Sequence, residues 1–375
     1  MNFGDCNEFS FSNEDFVFQT KIGNKSKFDK ELESSWQVKM DNGYFRYKLG
    51  DLKTRHLPGK YNFVAQLNIK RAVERRKPDF ITDVIMPFDP NCFNFTKISN
   101  NEILFSIVSQ HQMQEISTLN IKLKTNVLAI NVSPLEYCNS LLVPGIEECY
   151  PQVINFDGLK LAVETMLISA NPALRIGFNS LGGYASVNHF HFHLYYLKSI
   201  LFIEHAKVEH LMGNCHVLKC FPANGFVFEI LKNEDIGLIV GSVLKLINFL
   251  LERKISHNIF ITRGSSFKHD DVGTSDIYDA VRIYIWARKS VFGSKYDKRF
   301  NPALCELGGH LVIKGRLQIM RRKIRYIHNI RALLPSMIKA SYYDTVTEND
   351  AAAVLQDACQ ETFDKILEDV KLLYS

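Results

Sequence analysis

The stretch Asn188-His189-Phe190-His191-Phe192-His193-Leu194 carries the reading of this chain. Side chains of a β-strand alternate between faces, so His189, His191 and His193 share one face and Phe190, Phe192 and Leu194 the other. The apolar set points into a core. The three imidazoles form a line, with neighbours about 6.6 Å apart along the strand. Such a line does little for stability, and an apolar face would not select it, so it reads as a site. Three chemistries fit the spacing. His-x-His pairs on strands ligate Zn or Fe. A histidine attacks phosphorus as a nucleophile, with neighbours fixing its tautomer. Or the histidines are a polar strand face. Spacing alone leaves these open, with metal ligation first.

Working outward, runs rich in β-branched and aromatic residues recur at 103–108, 127–133, 140–144, 175–180 and 185–197 and predict strands. Residues 157–170 have helical spacing. The second half repeats the order loosely, with strands at 217–220 and 226–230, a helix over 234–252, and strands at 258–263, 282–288 and 304–314. A last helix is expected over 348–373. Helix and strand in this order predict an α+β fold with antiparallel sheets and flanking helices. The repeated order points to two tandem, duplicated units. The expected division is a flexible N-terminal arm (1–25), a catalytic unit (26–210) and a second unit (211–375).

Composition sets limits. With 375 residues, 46% apolar and 23% charged, the chain is globular and long enough for a large core. No run approaches the ~20 uncharged apolar residues of a membrane helix; the nearest, Ile236 to Leu251, is interrupted by Lys245 and Asn248. The start Met1-Asn2-Phe3-Gly4-Asp5 lacks the basic and apolar regions of a secretory signal. Eight scattered cysteines without a C-x-x-C pair suit a reducing cytosol. A cytoplasmic location is therefore expected. The formal charge of +5 is local: eight basic residues and no acid lie between Leu307 and Tyr343, and the rest of the chain sums to −3. This basic insert near 315–341 reads as a solvated surface segment, so neither nucleic acid nor membrane is an expected partner. Cys215-x-His-x-x-x-Cys220 is a poor zinc pattern, and no metal or cofactor is expected.

The motif His189-Phe-His191-Phe-His193-Leu-Tyr195 resembles the mark of the histidine-triad nucleotide-binding superfamily, H-φ-H-φ-H-φ-φ with φ apolar. Pro134 and Leu141-Leu142-Val143-Pro144 match the earlier strand pair of that superfamily. The likeness is closer to one branch, the GDP-D-glucose and GDP-L-galactose phosphorylases. Its blocks appear in order over roughly residues 50–314: Leu52-Lys53-Thr54-Arg55 with Pro58-Gly59-Lys60-Tyr61; Pro87-Phe88-Asp89-Pro90 with Phe93-Asn94-Phe95-Thr96-Lys97; Asn131 to Tyr137; Gly177-Phe178-Asn179-Ser180-Leu181-Gly182; Asn188 to Leu197; Trp286-Ala287-Arg288-Lys289-Ser290; and Asn301-Pro302-Ala303 with Glu306-Leu307-Gly308-Gly309-His310.

The resemblance implies histidine-triad-like units and a nucleotidyl-transferring enzyme that converts GDP-hexose and inorganic phosphate to hexose 1-phosphate and GDP. It makes His191 the nucleophile that carries a covalent GMP. His189 is then the neighbour that positions it or sets its tautomer, and His193 the partner near the phosphoryl group or the leaving oxygen. Asn179, Ser180, Ser186 and Asn188 are candidate substrate contacts. Lys53, Arg55, Lys97, Arg288 and Lys289 are candidate cations for the phosphates. One departure stands out: Cys138-Asn139 occupies the place where the superfamily usually has Gly-His. Two alternatives stay open, a nucleotide-sugar hydrolase on the same triad and a catalytically weakened guanine-nucleotide-binding protein. Whether the units close within one chain or across a homodimer is also open.

Overall fold

The structure, a computed structural model, describes residues 6–76, 78–110, 124–269, 277–292, 300–314 and 342–375. The basic insert expected at 315–341 lies outside them. Along the chain run β1 (Glu8–Phe11), β2 (Thr20–Lys21), α1 (Lys27–Asp41), β3 (Lys53–His56), β4 (Val64–Leu67), α2 (Ile69–Val73), β5 (Ile103–Ser109), β6 (Val127–Ile130) and β7 (Ser140–Val143). There follow α3 (Phe156–Ile168), β8 (Leu174–Asn179), β9 (Phe192–Tyr196), β10 (Glu209–Met212), β11 (Cys215–Leu218) and β12 (Gly225–Ile230). The remainder is α4 (Ile236–Glu252), β13 (Ser256–Gly264), β14 (Ile277–Tyr278), β15 (Ala280–Arg288), α5 (Leu304–Leu307), β16 (His310–Ile313) and α6 (Glu348–Tyr374), with a helical turn Tyr342–Thr345 before α6.

Eleven strands form one sheet in the order β1-β5-β6-β7-β9-β8-β13-β15-β12-β11-β10. The order is mirrored about the β8–β13 seam. Apart from β1 at one edge, each side contributes three antiparallel strands, then a helix (α3 or α4), then two more strands. That is the order of a duplicated unit. A smaller sheet, β16-β4-β3, lies apart from the large one. The fold is α+β, as expected. No helix of the described residues is long and apolar enough to cross a membrane.

One face of the large sheet is covered by helices. α3, α4 and the second half of α6 bury Leu159, Val163, Val243, Ile247, Phe363 and Val370 against Phe178, Phe192, Ile259 and Ile283. Each such side chain contributes about 1.5–3 kcal/mol of burial. α1, which the sequence reading left unassigned, joins them through Phe28, Leu32, Trp36 and Met40. These are four residues apart and so share one helix face. Ser26 caps α1 in a reciprocal box with Asp29. The same buried Asp29 accepts from Ser169 Oγ (2.5 Å), the Ala170 amide (2.9 Å) and the Tyr196 hydroxyl (2.7 Å), tying α1 to the end of β9.

The other face carries the site in its first half and a packed cluster in its second. On β15, Ile283, Ile285 and Ala287 face the helices, while Tyr284 and Trp286 lie in the opposite cluster. Their rings stack at 5.7 Å and 11°. The chain before residue 25, read above as a loose arm, is held at several points. β1 pairs with β5, β2 pairs with β14, and Phe11 is buried.

Two expected strands differ from the fold. The strand read over 185–197 is regular only from Phe192 to Tyr196. Upstream, the Gln152 side chain replaces the ladder: its Oε1 accepts from the His191 amide (3.0 Å) and its Nε2 donates to the His191 carbonyl (3.2 Å). The strand read over 304–314 begins as the helical turn α5 and becomes β16 after Gly309, whose φ of +100° suits glycine.

Candidate active site

Phe190, Phe192 and Leu194 are fully buried under the helices. The histidines take the other side, as the alternation requires. The His191 and His193 rings lie 5.2 Å apart, and Phe95 touches His189 at 5.4 Å and His191 at 4.9 Å between centroids. Phe95 reaches them from the 3₁₀ turn Phe95–Lys97, which Asn94 caps.

The tautomers follow from the partners. Nδ1 of His191 stands 2.7 Å from the His189 carbonyl. A carbonyl only accepts, so Nδ1 carries the proton and Nε2 of neutral His191 has the free lone pair. Nδ1 of His189 accepts from the Phe95 amide at 3.0 Å, so its proton sits on Nε2. Thus the backbone of His189, not its ring, sets the tautomer of His191. Burial holds His189 and His191 near pKa 4 and pushes His193 well below 6.5, with the adjacent His191 and Arg71 adding to the last shift. All three rings are neutral at pH 7. Nε2 of His189 and Nδ1 of His193 are buried with no hydrogen-bond partner among the described residues.

Two cavities meet at His193. The first, about 740 Å³ and open to solvent, has an apolar wall of Phe95, Ile98, Ala129, Leu141 and Val187. Its polar lining includes His191, Ser186, Asn131 and Glu102. The second, about 580 Å³, is lined by Asn68, Asn179, Asn301, Glu306 and Lys314. Arg71, Arg75 and His193 line both cavities, and Arg76 only the first. The arginines follow from α2, which Asn68 caps onto the Arg71 amide (3.0 Å). In the second cavity, burial pushes the Glu306 carboxyl up and the Lys314 ammonium down, while each favours the charged form of the other.

Gly177 makes room for α5, whose Leu304, Cys305 and Glu306 line the second cavity. It faces His193 across the β8–β9 ladder. A Cβ there would stand 2.8 Å from Leu304 Cδ1 and 2.9 Å from the Ile259 carbonyl. Its absence lets α5 settle on the sheet, where the Leu304 amide donates to Asn179 Oδ1 (3.0 Å).

The other expected residues divide. Ser186 lines the first cavity and Asn179 the second. Ser180 is a turn anchor: its hydroxyl accepts from the His257 amide (2.8 Å) and donates to the Leu181 carbonyl (3.1 Å). Asn188 braces the loop before the triad, accepting from the Gln152 amide (2.9 Å) and donating to the Pro87 carbonyl (2.8 Å). None of the five expected cations lines either cavity, and four of them stand in other contacts. Lys53 is exposed on β3. Arg55 donates to the Tyr343 and Val346 carbonyls. Lys97 is exposed and donates to the Pro90 and Cys92 carbonyls. Arg288 is buried, donating to the Pro302 carbonyl and lying over the Tyr184 ring. Lys289 pairs with Asp357 and Glu361 of α6.

Asn139, at the place of the usual histidine, is a brace. It is fully buried; its Oδ1 accepts from the Leu135 amide (3.1 Å) and its Nδ2 donates to the Leu194 carbonyl (2.9 Å). Among the described residues, no three His, Cys, Asp or Glu side chains form a group that could hold a metal. The sequence reading missed Arg71, Arg75, Arg76, Gln152, Glu102 and Lys314. The run Lys70-Arg71-Ala72-Val73-Glu74-Arg75-Arg76-Lys77 was the available signal for three of them.

Comparison with known proteins gives a consistent picture. Models described as "GDPGP1-like, N-terminal domain" and "GDPGP1-like, C-terminal domain" match residues 27–195 and 202–322. GDP-D-glucose phosphorylase 1 of Danio rerio is 41% identical over 320 residues, 84% of this chain and 89% of its own. That of Homo sapiens is 42% identical over 293 residues, 77% and 74% of the two chains. GDP-L-galactose phosphorylase 2 of Arabidopsis thaliana is 34% identical, over 75% and 66%. The yeast Ap4A phosphorylase Apa2 shares the fold, with a TM-score of 0.53 at 14% identity over 84% of this chain and 92% of the other.

Proposed function

The chain belongs to the GDPGP1-like family, and from that footing we propose that it is a GDP-hexose phosphorylase working as a nucleotidyltransferase through His191. The observation that carries the assignment of the nucleophile is the contact of His191 Nδ1 with the His189 carbonyl, which leaves Nε2 as the free lone pair. Nε2 attacks the phosphorus next to guanosine. A nitrogen–phosphorus bond forms, the bond to the bridging oxygen breaks, and hexose 1-phosphate leaves with that oxygen. Inorganic phosphate then attacks the same phosphorus, the nitrogen–phosphorus bond breaks, and GDP departs with the imidazole restored. Two displacements through a covalent intermediate replace one.

The two cavities divide such a substrate. The apolar wall beside His191 suits a nucleoside. The cavity of Glu306, Lys314, Asn179 and Asn301 suits hydroxyls and a phosphate. Arg71 and Arg75, common to both, supply positive charge where the phosphoryl group transfers. His193, also common to both, stands beside the leaving oxygen. The boundary near residue 210 between a catalytic and a second unit is part of this reading. So is a cytoplasmic location, which eight cysteines in no disulfide suit.

The test is incubation with GDP-glucose, with and without inorganic phosphate. GDP forming only with phosphate, and not in His191→Ala, is the expected result. GMP formed without phosphate would instead mean hydrolysis.

A further inference from the structure

A cross-strand row runs along the first cavity, which His193, Leu141 and Ala129 line, and continues past the lining to Ile103. His193 on β9 faces Leu141 on β7, Leu141 faces Ala129 on β6, and Ala129 faces Ile103 at the start of β5. Three strand spacings of ~4.8 Å make this row about 14 Å long, the order of an extended nucleoside monophosphate. The histidine end holds the phosphoryl chemistry. Glu102, the residue before Ile103, stands at the far end. It is the one carboxylate among the described residues lining this cavity.

Glu102 is held in place. It ends the 3₁₀ turn Asn100–Glu102, and its Oε1 accepts from the Ser99 amide at 3.1 Å in a reciprocal cap. Oε1 keeps a second lone pair, and Oε2 has no hydrogen bond among the described residues. An acid in a cleft with three arginines repels a phosphorylated ligand unless it meets donors. The Watson–Crick edge of guanine offers two side by side, N1–H and N2–H. Adenine has an acceptor at N1, which a carboxylate repels. Arg76 lies over the Phe93 ring, close enough to interact electrostatically with Glu102, and offers donors to guanine O6.

We infer that Glu102 reads the guanine base, accepting from N1–H and N2–H at the end of the cavity opposite His193. The inference rests on the phosphorylase reading for the identity of the base. Without it, what stands is an acid at the far end of a cavity that three arginines line.

The test is equilibrium binding of GMP, IMP and AMP to the full chain by calorimetry. IMP keeps N1–H and lacks N2–H; AMP lacks both. The native chain should prefer GMP to IMP, and IMP to AMP. In Glu102→Gln the amide oxygen still caps Ser99, so folding, checked by thermal unfolding, should hold. The variant should lose ~10–100-fold in GMP affinity, the scale of one bidentate base contact. It should lose less for IMP and nothing for AMP, so that base preference collapses. Equal loss for all three nucleotides, or unchanged GMP binding, would overturn the assignment. Preserved GMP selectivity without phosphate-dependent GDP formation would sink the phosphorylase reading and leave this one standing.

Discussion

The His189 carbonyl accepts from His191 Nδ1 at 2.7 Å, so the free lone pair of His191, the proposed nucleophile, is placed on Nε2 by a main-chain group that no side-chain substitution removes. This separates the two histidines. His191→Ala should abolish the radiolabelled GMP adduct and lower turnover by at least ~10⁴-fold. His189→Gln keeps the carbonyl and offers an amide oxygen to the Phe95 amide. It should still form the adduct, at a rate reduced by ~10–100-fold. Adduct loss in both variants alike would mean that the His189 ring takes part directly.

Burial holds His191 near pKa 4. The free chain therefore keeps His191, the proposed nucleophile, neutral well below the ordinary value of 6.5. On this residue, kcat/KM for GDP-glucose should be level between pH 5.5 and 7.5. An acid limb centred near 6.5 would show an imidazole that titrates as if in water.

The same burial makes stability fall in acid. His191 and the fully buried His257 have folded values near 4 against about 6.5 unfolded. Below 6.5 the unfolded chain binds the protons. The stability present above that value is therefore lost as pH falls toward 4, at about 1.4 kcal/mol per pH unit for each group. Urea unfolding from pH 7 to 5 should show this slope. His257→Gln should reduce it by about one proton; an unchanged slope would exclude His257 as a contributor.

Gly177→Ala sets a Cβ 2.8 Å from Leu304 and 2.9 Å from the Ile259 carbonyl. Leu304 can turn away, but the carbonyl sits in the sheet. The expected cost is about 1–3 kcal/mol in chemical unfolding. KM for GDP-glucose should rise as well, because α5 and Glu306 shift. A variant with native stability and native KM would refute the role given to this contact.

If Glu306 faces the sugar, Glu306→Gln should separate two activities. Exchange of labelled phosphate into GDP needs nucleotide and phosphate but no hexose. The ratio of GDP-glucose turnover to this exchange should fall by ~10-fold or more. An unaltered ratio would place the hexose elsewhere.

Legibility in the sequence followed the range of the interactions. The triad face was readable because alternation at His189, His191 and His193 is a property of one strand. The helix over 27–41 carried its signals, a Ser26–Asp29 cap and apolar residues every fourth position, but was not read because Lys and Glu dominate its exposed face. The cations were harder. Lys97 and Lys289 lie within the quoted blocks, yet Lys97 closes on nearby carbonyls and Lys289 on acids of α6, whereas Arg71 and Arg75 reach the cavities through the placement of α2. Glu102 and Lys314 meet the site only through cross-strand register and chain return, which no local pattern encodes.

The mirrored sheet has a consequence for stoichiometry. β15 occupies in the second half the place that β9 holds in the first, and there Tyr284 and Trp286, stacked face to face, fill the position of the imidazoles. The repeat has been spent on a wall. With His191 as the proposed nucleophile and no counterpart of it on β15, labelling with GDP-glucose in the absence of phosphate should saturate at a single guanylyl equivalent per chain, however the chains associate.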